Sequence, residues 1–272
     1  TPLSRLHGVV RLRWFPPITL NILPPRDLMH PRGADAHDRR QRMGLMLTDI
    51  MSDMMFETGN HRQTLFAALL DARRIHGGGH RLLEDVQRKP LSYNRLIALT
   101  LALGRKLAPM TQPGEAVGIL LPNTNATVAL LLGLQLHGRV PAMLNFSAGL
   151  HNLASAFRTA RIQTFVTSRR FVVNARLEAT VEALAAEHRV VFLEELGASV
   201  TRADKLRAML GSLTAALWYR QRDRQQAGEP AVILFTSGSE GAPKGVVLSH
   251  GNLLSNREQL AARLDLNAQD TI

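Results

Sequence analysis

Residues 116–144 read AVGILLPNTNATVALLLGLQLHGRVPAML. The first run, AVGILLP, is apolar at consecutive positions rather than alternating. That suits a strand covered on both faces. Residues 124–137 continue apolar over a length that a strand does not reach, so they read as a helix. VPAML (140–144) then reads as a second covered strand. A strand, a helix and a strand at this spacing form a unit with parallel strands and a crossover helix. The same alternation extends downstream. Helices are expected at 149–160, 174–187 and 201–220, and strands at 164–168, 189–193 and 231–236. Upstream, helices are expected at 62–75 and 92–109, separated by HGGGH (76–80). The pattern predicts an α/β fold with an open, doubly wound, mostly parallel sheet. No internal repeat of 20–50 residues is present.

The bulk composition fits that fold. The chain has 272 residues, 45% hydrophobic and 20% charged, enough for a sizeable core. It has no cysteine, which excludes disulfides, a thiolate nucleophile and a cysteine-rich zinc site. Its net charge is +11, almost all of it arginine. Genomic arginine bias, an anionic membrane surface and nucleic acid are three sources of such a charge. Arginines spread over many helices, with few aromatics between them, argue against a nucleic-acid groove. Residues 1–42 are the basic exception, with eight Arg and three Asp, so a membrane-facing patch is weighed there against a solvated face. The longest apolar run, VALLLGLQL from Val128, is too short to span a bilayer, and no signal peptide is recognisable.

The first 58 residues follow a different plan. Residues 8–23 are β-branched and alternating with a Pro-Pro break, which predicts one or two strands. Residues 38–56 carry apolar side chains at helical spacing. Their methionines (Met43, Met46, Met51, Met54, Met55) read as a flexible packing face rather than a lipid or copper site. HPRGAD places His30 and Asp35 at His-x-x-x-x-Asp spacing, and with ten histidines in the chain this match reads as coincidence. HGGGH reads as a linker, because three glycines disfavour a helix that would seat two metal ligands.

The candidate chemistry lies in AVILFTSGSEGAPKGVVLSH (231–250). An apolar strand ends in Thr236, Ser237, Gly238, Ser239, Glu240 and Gly241. Lys244 follows, and then a second apolar strand. Glycines let backbone N–H groups approach an anion, hydroxyls add donors, and a lysine adds a mobile positive charge. The Walker A pattern is not met: Lys244 follows Pro243, and Gly245 stands where Ser or Thr is required. The grip is therefore expected to be a clasp between two strands, ahead of a helix at 250–263.

This loop resembles the signature phosphate loop of the adenylate-forming superfamily of acyl-CoA synthetases, luciferases and peptide-synthetase adenylation domains. Glu240 stands where the common pattern has Thr. In this it resembles a narrower group, the bifunctional acyl-[acyl-carrier-protein] synthetase/2-acylglycerophosphoethanolamine acyltransferases. PAMLNFSAGL (141–150), TFVTSRRF (164–171), FLEEL (192–196) and RQTLF (62–66) resemble that group as well. So do RWFPPITLNILPP (13–25) and DIMSDMMF (49–56), which are similar to the end of its acyltransferase domain.

The resemblance implies an α+β acyltransferase remnant over 1–58 and the front of an AMP-binding domain over 59–272. It implies activation of a fatty acid with ATP and Mg²⁺, transfer of the acyl group to acyl-carrier protein, and lysophospholipid as final acceptor. Thr236, Ser237, Gly238, Ser239, Glu240, Gly241 and Lys244 would bind the nucleotide, with Lys244 also catalytic. His250 would lie near the acyl end of the site or serve only at a helix start. No metal is assigned to protein ligands. The chain is expected to be part of a longer cytoplasmic protein held at the inner membrane through other segments, and to be inactive alone. An acyl-CoA ligase and a non-catalytic basic membrane module are the alternatives.

Overall fold

A computed structural model describes residues 20–25, 35–85, 88–219, 227–237 and 243–264. These fall into two compact units. One comprises described residues up to Gln63 together with those from Gly251. The other runs from Thr64 to His250.

In the first unit, α1 (Ala36–Thr58) opens at Asp35, whose carboxylate accepts from the Asp38 backbone N–H at 2.7 Å. Asp35 is thus an ordinary helix cap, and His30 lies outside the described residues. α1 meets the last described helix, which starts at His250 and ends at Arg263. The Ser52 hydroxyl donates to the Ala262 carbonyl at 3.2 Å, and Arg263 pairs with Asp49 at 3.0 Å. The methionine face keeps its expected packing role only in part, with Met43 and Met46 half-buried. Ser52 is the buried residue of α1, whereas Met51, Met54 and Met55 are exposed. The strands expected over 8–23 fall mostly outside the described residues, and residues 20–25 carry no strand.

The second unit is the α/β domain. α2 (Leu65–His76) ends at Gly77, whose φ of +92° no L-residue adopts comfortably. The linker expected here is the start of a small antiparallel pair, β1 (Arg81–Leu83) and β2 (Leu91–Ser92). Strands of three and two residues are too short to show a period. α3 (Tyr93–Leu107) follows, capped by Ser92. Then β3 (Ala116–Ile119), α4 (Asn125–Leu136) and β4 (Val140–Met143) realise the opening stretch. α5 (Gly149–Ala160) and β5 (Thr164–Thr167) come next.

The helix expected over 174–187 is the shorter α7 (Glu178–Ala185), and a further helix, α6 (Arg169–Asn174), precedes it. Arg176, at φ +54°, breaks the chain between them. β6 (Arg189–Phe192), the short α8 (Leu193–Ala198), α9 (Arg202–Tyr219), β7 (Pro230–Ser237), β8 (Pro243–Ser249) and α10 (His250–Arg263) complete the described elements.

The main sheet has the order β6-β5-β3-β4-β7-β8. All its neighbours pair in parallel except β7 and β8. Alternate residues of the strands face opposite cores. Val117, Ile119, Val166 and Val191 pack with α3, α4 and α8. Leu120, Ala142, Leu144, Phe165 and Ile233 pack with α5 and α7. This division follows from the crossover rule. The step from β3 to β4 and the step from β4 to β5 run in opposite directions across the sheet. Right-handed connections therefore send α4 and α5 to opposite faces. A crevice opens where the two connections diverge, outside the C-terminal ends of the strands.

Candidate active site

The two strands expected around the loop pair side by side at that end of the sheet. β7 and β8 run antiparallel, with Thr236 opposite Lys244 and Ser237 opposite Pro243. Directly opposed residues share a face, with Cβ atoms about 4.5–5.5 Å apart. The Thr236 hydroxyl and the Lys244 ammonium thus flank the mouth of the loop on one side, and both residues are exposed. Gly238, Ser239, Glu240 and Gly241 lie outside the described residues, as does the side chain of Ser237.

A cavity of about 120 Å³ sits against the clasp, lined in part by Asn145, Ala148, Asn152, Phe235, Thr236 and Pro243. Asn145 follows the end of β4, and Asn152 stands in the first turn of α5. Sequence reasoning assigned no role to either, though both lie within or beside PAMLNFSAGL. Asn145 accepts from the Ser147 backbone N–H at 3.0 Å and from its hydroxyl at 2.8 Å, which folds the exit into a tight turn. Asn152 donates to the Ala148 carbonyl at 2.8 Å, one turn back on α5. Only proximity in the fold could have found them, because 84 residues separate Asn152 from Thr236.

The donor set suits an anion. A cation and a hydroxyl stand side by side, next to a loop whose composition supplies backbone N–H groups, and the cavity lining is amide, hydroxyl and apolar. Among the described residues no cluster of three or more His, Asp or Glu side chains could hold a metal ion.

His250 is brought to a different setting. It is 5% exposed, and its Nδ1 accepts from the Leu65 backbone N–H at 3.2 Å. Leu65 is the first residue of α2, and its N–H has no partner within the helix. Thr64 completes the cap by accepting from the Ala67 N–H at 3.1 Å and by a 2.7 Å hydroxyl contact with Tyr219. The described contacts of His250 are those of a helix-capping acceptor.

Fold and hairpin together define a doubly wound α/β domain with a Gly- and Ser-rich stretch of sequence between β7 and β8, the two strands at one edge of its sheet. The chain belongs to the AMP-binding enzyme family, whose model matches residues 73–272. It is 55% identical over 42 residues to the medium-chain fatty-acid–CoA ligase of Escherichia coli, covering 15% of this chain and 7% of that one. It is 29% identical over 133 residues to long chain acyl-CoA synthetase 8 of Arabidopsis thaliana, covering 44% of this chain and 18% of that one. Among solved structures, ATP-bound MatB from Rhodopseudomonas palustris matches with a TM-score of 0.54 at 25% identity, over 73% of this chain and 37% of that one. The complex of VinN with 3-methylaspartate matches in fold with a TM-score of 0.56 at 22% identity, over 74% of this chain and 52% of that one. The chain thus spans about half or less of the length of each of these relatives.

Proposed function

We propose that this chain carries the nucleotide-gripping part of an enzyme that activates a fatty acid with ATP and Mg²⁺. A carboxylate oxygen attacks the α-phosphorus, the bond to the bridging β-phosphate oxygen breaks, and pyrophosphate leaves. A thiol then displaces AMP from the acyl-adenylate. The chain's own task is to hold phosphate oxygens in line and to offset the charge that gathers on the leaving group. Lys244 supplies the mobile positive charge and Thr236 a hydroxyl. Ser237, Gly238, Ser239 and Gly241 supply hydroxyls and close backbone approach, and Glu240 belongs to the same nucleotide-binding stretch. The observation that carries this reading is the register that sets Thr236 opposite Lys244 at the loop mouth.

The acceptor we propose is acyl-carrier protein, with lysophospholipid acylated in turn and residues 1–58 belonging to an acyltransferase domain ahead of an AMP-binding domain at 59–272. Support comes from the sequence stretches that resemble the bifunctional group, Glu240 among them, and from a family match that begins only at residue 73. Transfer to CoA is the second reading, favoured by the match to the E. coli ligase. We place the protein in the cytoplasm, peripherally on the inner membrane. Among the described residues no helix is long and apolar enough to cross a membrane.

Titration of the chain with ATP and Mg²⁺ tests the grip. Lys244→Ala removes a charge-assisted contact of about 1.5–3 kcal/mol, so affinity is expected to fall roughly 10- to 150-fold. Unchanged affinity refutes the role of Lys244. Incubation of the full-length enzyme with labelled fatty acid and either thiol acceptor decides between carrier protein and CoA.

A further inference from the structure

α9 is built inside out for a helix on the surface of a domain. The residues it turns toward α3 are small or polar: Ala208, Ser212 and Ala215 are buried there, followed by Tyr219. The residues it turns to solvent are large and apolar. Leu206, Met209, Leu210 and Leu213 are 54–55% exposed, and Leu217 is 74% exposed. Their spacing of three, one, three and four residues places them in one continuous stripe. Single exposed leucines are ordinary, whereas four leucines and a methionine in one stripe mark a surface that meets an apolar partner.

The charges around the stripe say what that partner is. At 100° per residue, Lys205 and Arg207 fall on opposite flanks of the stripe, and Arg202 stands at its N-terminal end; all three are exposed. Asp204, the acid of the helix, turns inward and pairs with Lys106 of α3 at 2.8 Å. The outer face is therefore apolar along its crest and cationic along both borders. Long cationic side chains there can reach headgroups while the crest enters the acyl region. Beside the crest, a groove of about 660 Å³ runs between α9 and α3. Leu99, Leu103, Met209 and Leu213 are among its lining residues, with Arg95 and Lys205 as its cations. It is space that an acyl chain can fill beneath a bound anionic headgroup. A second copy docked on the same face would set these like charges against each other.

We propose that the outer face of α9, with the adjoining groove, docks the domain onto an anionic lipid bilayer. The surface is independent of the clasp, so a failed lipid assay leaves nucleotide binding untouched, and the converse also holds. A chain of charge +11 meets anionic vesicles electrostatically whatever its surface, so the test must report insertion. The absence of cysteine makes this direct. Leu213→Cys, labelled with an environment-sensitive dye, is expected to shift to the blue on phosphatidylglycerol vesicles at high salt. Glu178→Cys on α7, across the sheet, is expected to stay unchanged.

The double variant Leu210→Asp/Leu213→Asp changes exposed positions only. It is expected to retain the parent's melting curve and to lose at least tenfold in vesicle co-sedimentation at high salt. A silent Leu213→Cys probe, equal sedimentation of the Asp variant, or an equal shift on pure phosphatidylcholine overturns the proposal. So does a vesicle-free shift that grows with protein concentration, which assigns the face to a second copy.

Discussion

Gly104 on α3 and Gly133 on α4 let two helices touch backbone to backbone. A methyl group added at Gly104 would lie 2.7 Å from the Gly133 carbonyl oxygen and 2.9 Å from its Cα, where ordinary contact begins at 3.4 Å. Backbone cannot swing aside as a side chain can, so Gly104→Ala must part the helices by about 0.7 Å. A gap of ~0.5–1 Å forfeits a quarter to a half of the dispersion attraction at each separated contact. Overpacking of this kind costs about 3 kcal/mol, and the better helix propensity of alanine returns about 1 kcal/mol. The net loss is about 2 kcal/mol, which lowers the melting temperature of a domain this size by roughly 4–8 °C.

Gly197 in α8 is the matched control, because nothing lies within 4 Å of its added methyl. Gly197→Ala is expected to stabilise by about 0.5–1 kcal/mol. Thermal melts of the two variants followed by circular dichroism decide the matter. If Gly104→Ala melts at or above the parent temperature, the helices are not held at backbone contact and the account of this core is wrong.

Three further outcomes follow from local contacts. Lys106, together with Thr201, holds the Asp204 carboxyl well below the usual carboxylate range. A lowered folded-state value means that the contribution of Asp204 to stability is complete above about pH 4 and fades as the pH falls further. The stability gap between the parent and Asp204→Asn should therefore be widest near neutrality and close in acid, as read from denaturant midpoints across pH. His250→Ala leaves the Leu65 N–H without its acceptor and should cost about 1–2 kcal/mol in a denaturant melt. If His250 also meets the acyl group, the KM for the fatty acid will rise in the full-length enzyme as well, which a cap alone would not cause.

Arg139 is 8% exposed and donates to the Ala108 carbonyl at 2.7 Å and the Thr111 hydroxyl at 3.0 Å, with further contacts to the Thr111 and His137 carbonyls. Lysine cannot reproduce that fork, so Arg139→Lys should destabilise by about 2–3 kcal/mol in the same assay.

By itself the sequence determined the class of fold, because covered strands and crossover helices write their burial directly into residue type. AVGILLP and VPAML can belong only to strands apolar on both faces, and the alternation of elements leaves little besides a doubly wound sheet. It also determined the two strands around TSGSEGAPK, since both are apolar runs broken only by that stretch. Other features left no such mark. β1 and β2 are too short for a period, and the break at Arg176 rests on one backbone angle. The arrival of Asn145 and Asn152 beside Thr236 depends on strand order, which residues far apart in the chain settle only by packing. The outward leucines of α9 were legible as a helix but not as a surface. Which side of a helix faces the core is fixed by its neighbour, and here the close fit of Ala208, Ser212 and Ala215 against α3 turned the larger side chains to solvent.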